Sequence, residues 1–336
     1  MSADPTFDFG LRFASSAERV RGEAERRAEL VARQLYFHHA FLDDTLRSIL
    51  PNDLILIGAE SGAGKTEIVA SIAEANAAVG KRVHFFALEA EQDEIERRIK
   101  YRNLAQLVRN SGAPRSSEMN YADWYRGFFD DVCAPFVDEA EGHLQRTCRT
   151  LHTYYRGDTF GLDDIRRMFL AVQDQTDLIV LDHLHYVDLE DENENRAFKA
   201  VVKTIRSTVL AMGKPVILVA HLRKKNTSSK AVLPDLDSFH GSSDIVKICT
   251  GVVLLAPARA VPVQHWSTSN TFVYVPKDRM SGATGLVAVC QYDRLARIYR
   301  PFYALGRMSP DGATWNALTP SDVPRWALNN RSLTNP

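Results

Sequence analysis

The 336-residue chain is poor in cysteine: Cys133, Cys148, Cys249 and Cys290 are widely scattered and show no metal-ligand spacing. That excludes a disulfide framework or a thiolate metal site, and points to buried thiols in a reducing compartment. No apolar run approaches the ~20 residues of a membrane span, so no association with a membrane is expected. An excess of charge is also missing. Lys and Arg number 41 against 42 Asp and Glu, a formal net charge of -1, which excludes a basic protein that coats nucleic acid but leaves room for a local basic loop. The first residues, MSADPTFDFG, carry acids and lack the basic-then-apolar layout of a signal peptide, so a cytoplasmic location is expected. There is no internal repeat.

What is present is a chain 45% hydrophobic, enough for one large α/β domain with appendages or two smaller domains. Apolar runs at Leu54–Ile57, Lys81–Leu88, Asp177–Asp182, Pro215–Ala220, Gly251–Leu255, Thr271–Val275 and Leu286–Tyr292 read as strands. Amphipathic segments lie between most of them, including 91–107, 121–132, 136–149, 162–173 and 196–212. Alternation of this kind predicts a mostly parallel sheet with helices on both faces. Residues 1–40 are expected to be a leader and linker. Within it a charged helix over 15–35 carries a narrow apolar stripe (Ala17, Val20, Ala24, Ala28, Val31, Leu35) that suits packing on another subunit or on its own domain. Residues 41–300 form the main domain, and 301–336 a polar tail that serves as an arm or a partner contact.

The most specific motif is Gly58-Ala-Glu-Ser-Gly-Ala-Gly-Lys-Thr66, directly after an apolar strand and before a helix. This is a phosphate-binding loop in the context that motif requires. Ala59, Glu60, Ser61, Gly62, Ala63 and Gly64 supply backbone N–H groups to phosphate oxygens. Lys65 is expected to reach the β- and γ-phosphates, the Thr66 hydroxyl to sit on Mg²⁺, and Glu67 to open a helix whose N-terminus faces the anion. ATP and Mg²⁺ are the cofactors implied.

Other candidates end apolar strands. Asp182 is placed to order Mg²⁺ together with Thr66. Glu89, after the second strand, is a candidate base for the water that attacks the γ-phosphate, or else part of the solvated start of an acidic helix. His221 is either a γ-phosphate sensor or a structural histidine. The basic stretch Arg223, Lys224, Lys225 and Lys230 would contact a nucleic-acid backbone or simply be solvated. Lys277 and Arg279 come late in the chain and would lie far from their own phosphate loop unless the fold returns them. In a ring they would instead reach a neighbour's ATP.

Taken in order, these pieces resemble the RecA-like motor domain of DnaB-type replicative helicases, including the phage-type ring helicases. The resemblance covers about residues 36–300. It begins at Phe41-Leu-Asp-Asp-Thr-Leu46 and Leu50-Pro-Asn-Asp-Leu54, and includes the loop with its leading alanine. Ala87-Leu88-Glu89 is similar to the family's Ser-Leu-Glu, Leu181-Asp182-His183-Leu184 to its metal-site strand, Ala220-His221-Leu222 to its sensor segment and Lys277-Asp-Arg279 to its Lys-x-Arg. The resemblance implies Glu89 as catalytic base, His221 as sensor, and Lys277 and Arg279 as a sensor and a finger acting in trans. It also implies a homo-oligomer, a hexamer by resemblance, that hydrolyses ATP between subunits and moves single-stranded DNA past residues 223–230, with a possible loading partner. Two departures stand out. The segment Asp235-Leu-Asp-Ser-Phe-His-Gly lacks the Arg that often follows Asp-Leu, and the leader is expected to be too short for the separate N-terminal collar domain of bacterial replicative helicases. They favour the alternative of a RecA-like ATPase without unwinding activity, serving recombination, plasmid maintenance or a defence complex. A nucleotide-gated scaffold that oligomerises through the helix 16–35 is a third reading, opposed by the presence of Glu89 and Asp182.

Overall fold

Strands β1 to β10 build one sheet whose two halves follow different rules. The protein is described by a computed structural model over residues 15–60, 62–189, 193–222, 232–239, 243–263, 265–280 and 285–330. Two short helices, α1 (Ser16–Val20) and α2 (Glu23–Ala32), precede α3 (Ala40–Leu46), β1 (Leu54–Ala59), α4 (Lys65–Ala78) and β2 (Val83–Ala87). A helical block comes next: α5 (Glu94–Asn110), α6 (Tyr121–Tyr125), α7 (Asp130–Cys133) and α8 (Val137–Thr147). Then follow β3 (Leu151–Tyr155), α9 (Leu162–Val172), β4 (Leu178–Asp182), α10 (Glu194–Met212), β5 (Val216–His221), α11 (Ser243–Ile248) and β6 (Gly251–Pro257). The described chain closes with β7 (Thr268–Asp278), β8 (Val287–Asp293), β9 (Ile298–Met308) and β10 (Trp315–Ala317).

The strand order is β10-β9-β8-β7-β6-β1-β5-β4-β2-β3. From β6 to β3 every pairing is parallel; from β6 outward to β10 every pairing is antiparallel. The sheet is mostly parallel with helices on both faces, the α/β RecA-like class that the sequence predicts. All of β1 is buried, as a strand covered on both faces must be. Its alternate residues serve two cores. Ile55 and Ile57 pack with Ile68, Val69 and Ile72 of α4, while Leu54 and Leu56 face Phe169 of α9 and Phe198, Val202 and Ile205 of α10. Local signals set the helix ends. The Asn193 side chain accepts from Arg196 N–H at 3.1 Å at the start of α10, and Gly213 closes it in the left-handed region (φ 62°).

Three expectations need adjusting. The helix predicted over 15–35 breaks at Gly22 (φ 77°) and ends at Ala32, so Leu35 is buried through a bridge to Ile49 instead of on a helical stripe. The acidic helix predicted from 91 begins at Glu94. The sheet does not stop near 292: β9 and β10 extend it, and the boundary drawn at 300 falls inside β9.

Candidate functional site

β1 delivers the chain to the phosphate loop at Ala59, and Gly62 (φ 80°) and Gly64 (φ 85°) turn it back into α4. Gly64 is required twice over, because its backbone is left-handed and a Cβ there would sit 2.9 Å from the Tyr299 hydroxyl. The loop opens on a cavity of about 650 Å³ lined by Gly62, Gly64, Lys65, Thr66, Glu89 and Asp182 among others. Ser61 lies outside the described residues.

Three parallel strands, β1, β2 and β4, end at this cavity, and β5 ends beside them at His221. Lys65, only 8% exposed, holds Nζ 3.6 Å from Glu89 Oε2. Asp182 accepts a hydrogen bond from the Thr66 side chain, while its buried Oδ1 has no hydrogen-bond partner. Burial raises the Asp182 carboxyl above its ordinary range, against the Thr66 hydrogen bond and nearby His183 and Lys65. An orphaned carboxylate oxygen beside a hydroxyl is the donor set a hard divalent cation takes, so these residues fit Mg²⁺.

Glu89 follows β2. Its Oε2 lies 2.8 Å from His183 Nε2 and 3.9 Å from His221 Nε2. The contact with His183, helped by the charge of Lys65 and outweighing partial burial, pulls the Glu89 carboxyl down to about 2. It is therefore ionised at neutral pH, as a base must be. His221, at the end of β5, is brought to the same point, with its backbone N–H 3.4 Å from His185 Nδ1.

Lys277 and Arg279 sit elsewhere. β7 runs antiparallel to β6, with Asp278 opposite Gly251, the first residue of β6. These cations therefore lie at the edge of the sheet opposite the phosphate loop. Lys277 Nζ donates to the carbonyls of Val246 (2.7 Å) and Lys247 (3.1 Å) at the end of α11, and Arg279 N–H donates to Thr250 O at 3.0 Å. The basic residues Arg223, Lys224, Lys225 and Lys230 lie outside the described residues.

The DnaB-like helicase C terminal domain model matches residues 37–299. The chain belongs to this family. Of solved structures, it is similar to one described as an ATPase domain (TM-score 0.68, 13% identity, covering 85% of this chain and 99% of that one). It is also similar to "The Structure Of A DnaB-Like Replicative Helicase And Its Interactions With Primase" (TM-score 0.67, 13% identity, 85% and 67%). No curated protein sequence matches. At this identity the structures speak to the fold, while family membership makes the chain a replicative-helicase-like ATPase domain.

Within this DnaB-like domain, sequence reasoning missed two parts of the site. One is His183, noticed only as part of a motif; the His-x-His spacing after a buried strand was a usable signal. The other is a set of arginines. Glu67, buried at the start of α4, accepts from Arg98 of α5 and from Arg297, which sits in the turn between β8 and β9. Burial works against ionisation, but Arg297, Arg102 and Arg98 outweigh it and hold Glu67 below the ordinary carboxylate range. Arg98, Arg294, Arg297 and Tyr292 also line the cavity.

Proposed function

We propose that this DnaB-like domain is an ATP-hydrolysing motor that assembles as a ring, a hexamer by resemblance, and moves along single-stranded DNA. The observation that carries the reading is the separation of its parts. Lys65, Thr66, Asp182, Glu89 and His221 gather at one edge of the sheet, and Lys277 and Arg279 occupy the other. A site completed by a neighbour's cations requires that division. In this reading the loop N–H groups and Lys65 hold the phosphates. Thr66 and Asp182 would hold Mg²⁺, which when bound offsets charge on the β- and γ-phosphates. Glu89 takes the proton of a water whose oxygen forms the new bond to the γ-phosphorus, as the bond to the leaving ADP oxygen breaks. His221 reads the γ-phosphate, and Arg279 offsets charge on the neighbour's transferring group. The helix α2, which buries none of its residues on its own domain, would dock on the adjacent subunit. Residues 41–300 would act as the motor, with β9 and β10 carrying its sheet into the segment 301–336. The stretch 223–230 would track the DNA backbone.

The Arg missing after Asp235-Leu236 supports a second reading, an ATPase of the same fold that does not unwind DNA. ATP hydrolysis with and without single-stranded DNA, at fixed salt and with Lys65→Ala as the blank, separates the two. A DNA-dependent rise is expected. Turnover indifferent to DNA favours the second reading, and turnover no greater than the blank contradicts both.

A further inference from the structure

The β2–β4 ladder aligns Ala87 with Asp182, so the chain just beyond that pair sets Glu89 and His183 side by side. The His183 side chain is 1% exposed, against 40% for Glu89. One side of its ring is fixed by the backbone. Nδ1 accepts the His185 N–H at 3.3 Å, where His183 caps the short turn Leu184–Tyr186. A backbone N–H can only donate, so Nδ1 presents its lone pair and the proton of the neutral ring sits on Nε2. That nitrogen lies 2.8 Å from Glu89 Oε2, but its N–H is out of line with the oxygen in this conformation, so Nε2 is left without a hydrogen-bond partner. The ring is held on two further sides by edge contacts with His221 (4.2 Å between centroids) and Tyr186 (5.0 Å).

We propose that His183 is the positioning residue of the catalytic base: a buried, otherwise unpartnered N–H donor, locked in one tautomer, that takes one oxygen of Glu89 on a small turn of the adjacent carboxylate and aims it into the cavity. This rests on the reading of Glu89 as the base. Glu89 Oε2 also lies near Lys65 and His221, but in that reading both turn to the γ-phosphate when ATP arrives. His183, buried and engaged from behind by the His185 backbone, keeps its contact throughout. Glu89, His183 and His221 also bring their ligand atoms within 4.8 Å of one another, a set that suits a transition-metal ion. A metal would need the Nε2 lone pair, whereas the hydrogen bond to Nδ1 leaves a proton there.

The test is steady-state ATP hydrolysis by the full chain, with melting temperature followed in parallel. His183→Ala is expected to lower kcat by roughly 10- to 100-fold, the scale of a misplaced catalytic group, with KM for ATP changed by less than about 2-fold. His183→Gln, which carries an amide N–H to the Nε2 position, should restore most of kcat. His183→Asn reaches only the Nδ1 position and should not. That pair decides the matter even if the alanine variant fails to fold, since equal activity of Gln and Asn overturns the proposal. So does a loss in His183→Ala that resides in KM. Stoichiometric zinc binding by the wild type, abolished by His183→Ala and by His221→Ala, would show a metal site and overturn it too. Glu89→Gln separates the levels. Unchanged turnover there removes the base assignment itself, whereas a large loss there with normal kcat in His183→Ala removes only the role of His183.

Discussion

The parallel and antiparallel halves of the sheet divide the work in different ways. The parallel half sends the carboxyl ends of β1, β2, β4 and β5 to one edge, so Lys65, Glu89, Asp182 and His221 meet with no long loop between them. The antiparallel half cannot gather its ends, because successive strands reverse. Its upper turn folds over the chain's own phosphate loop, where Tyr299 donates to Ala63 O at 3.4 Å and Arg297 pairs with Glu67. Its lower end carries Lys277 and Arg279 away. A parallel sheet thus builds a local site, and an antiparallel extension can touch that site and still present groups at the far edge.

The sharpest way to break this comparison is at the far edge. Arg279→Ala is expected to lower kcat by roughly 10³- to 10⁵-fold, the range of an arginine finger, while nucleotide binding to the isolated protomer, followed by a fluorescent ATP analogue, stays unchanged. Weakened binding would place Arg279 in its own site. Next is the seam between the halves. Glu67→Gln leaves the guanidinium groups of Arg98 and Arg297 without their buried carboxylate and should cost about 3 kcal/mol in denaturant unfolding. A loss near zero would show that the turn holds without it.

Packing of the outer edge gives a smaller effect. A Cβ on Gly306 would lie 2.4 Å from both Asn316 O and the Trp315 ring, so Gly306→Ala should destabilise by about 1–3 kcal/mol through displacement of β10. ATP turnover below the melting transition should be retained, because the strain lies in the antiparallel half alone. The smallest effect concerns pH. His39, beside Tyr299 at the start of α3, is buried with both ring nitrogens unpartnered, and burial lowers it to about 4. Its folded value lies below its unfolded one, so the unfolded chain takes the proton first. Stability is present above about 6.5 and is lost as pH falls from there towards 4. His39→Phe should flatten that part of the stability curve, and an unchanged slope would assign it to other groups.

The parallel half was legible in the sequence because strands buried on both faces are continuous apolar runs set between helices, as in LILIGA and LIVLD. β9 was not, because Arg300 and Pro301 interrupt it. They face solvent at an irregularity opposite Gln291, where a proline is tolerated. The turn from β1 into α4 was readable because its motif is local in sequence. Arg297, 230 residues from its partner Glu67, and His183, whose role depends on a neighbouring strand and on the His185 backbone, become apparent only once the strands are in register. The placement of Lys277 and Arg279 away from their own loop was foreseeable from chain order, but which edge they reach depends on the direction of β7.

The most direct measurement mixes Arg279→Ala protomers with Lys65→Ala protomers and follows ATP hydrolysis as the ratio varies. Each variant alone should be inactive. If sites are shared between neighbours, some mixed interfaces join an intact Lys65 to an intact Arg279, and activity should return to a maximum near equal proportions. No recovery at any ratio, in rings shown to contain both variants, would contradict a site completed by the antiparallel half of the next subunit.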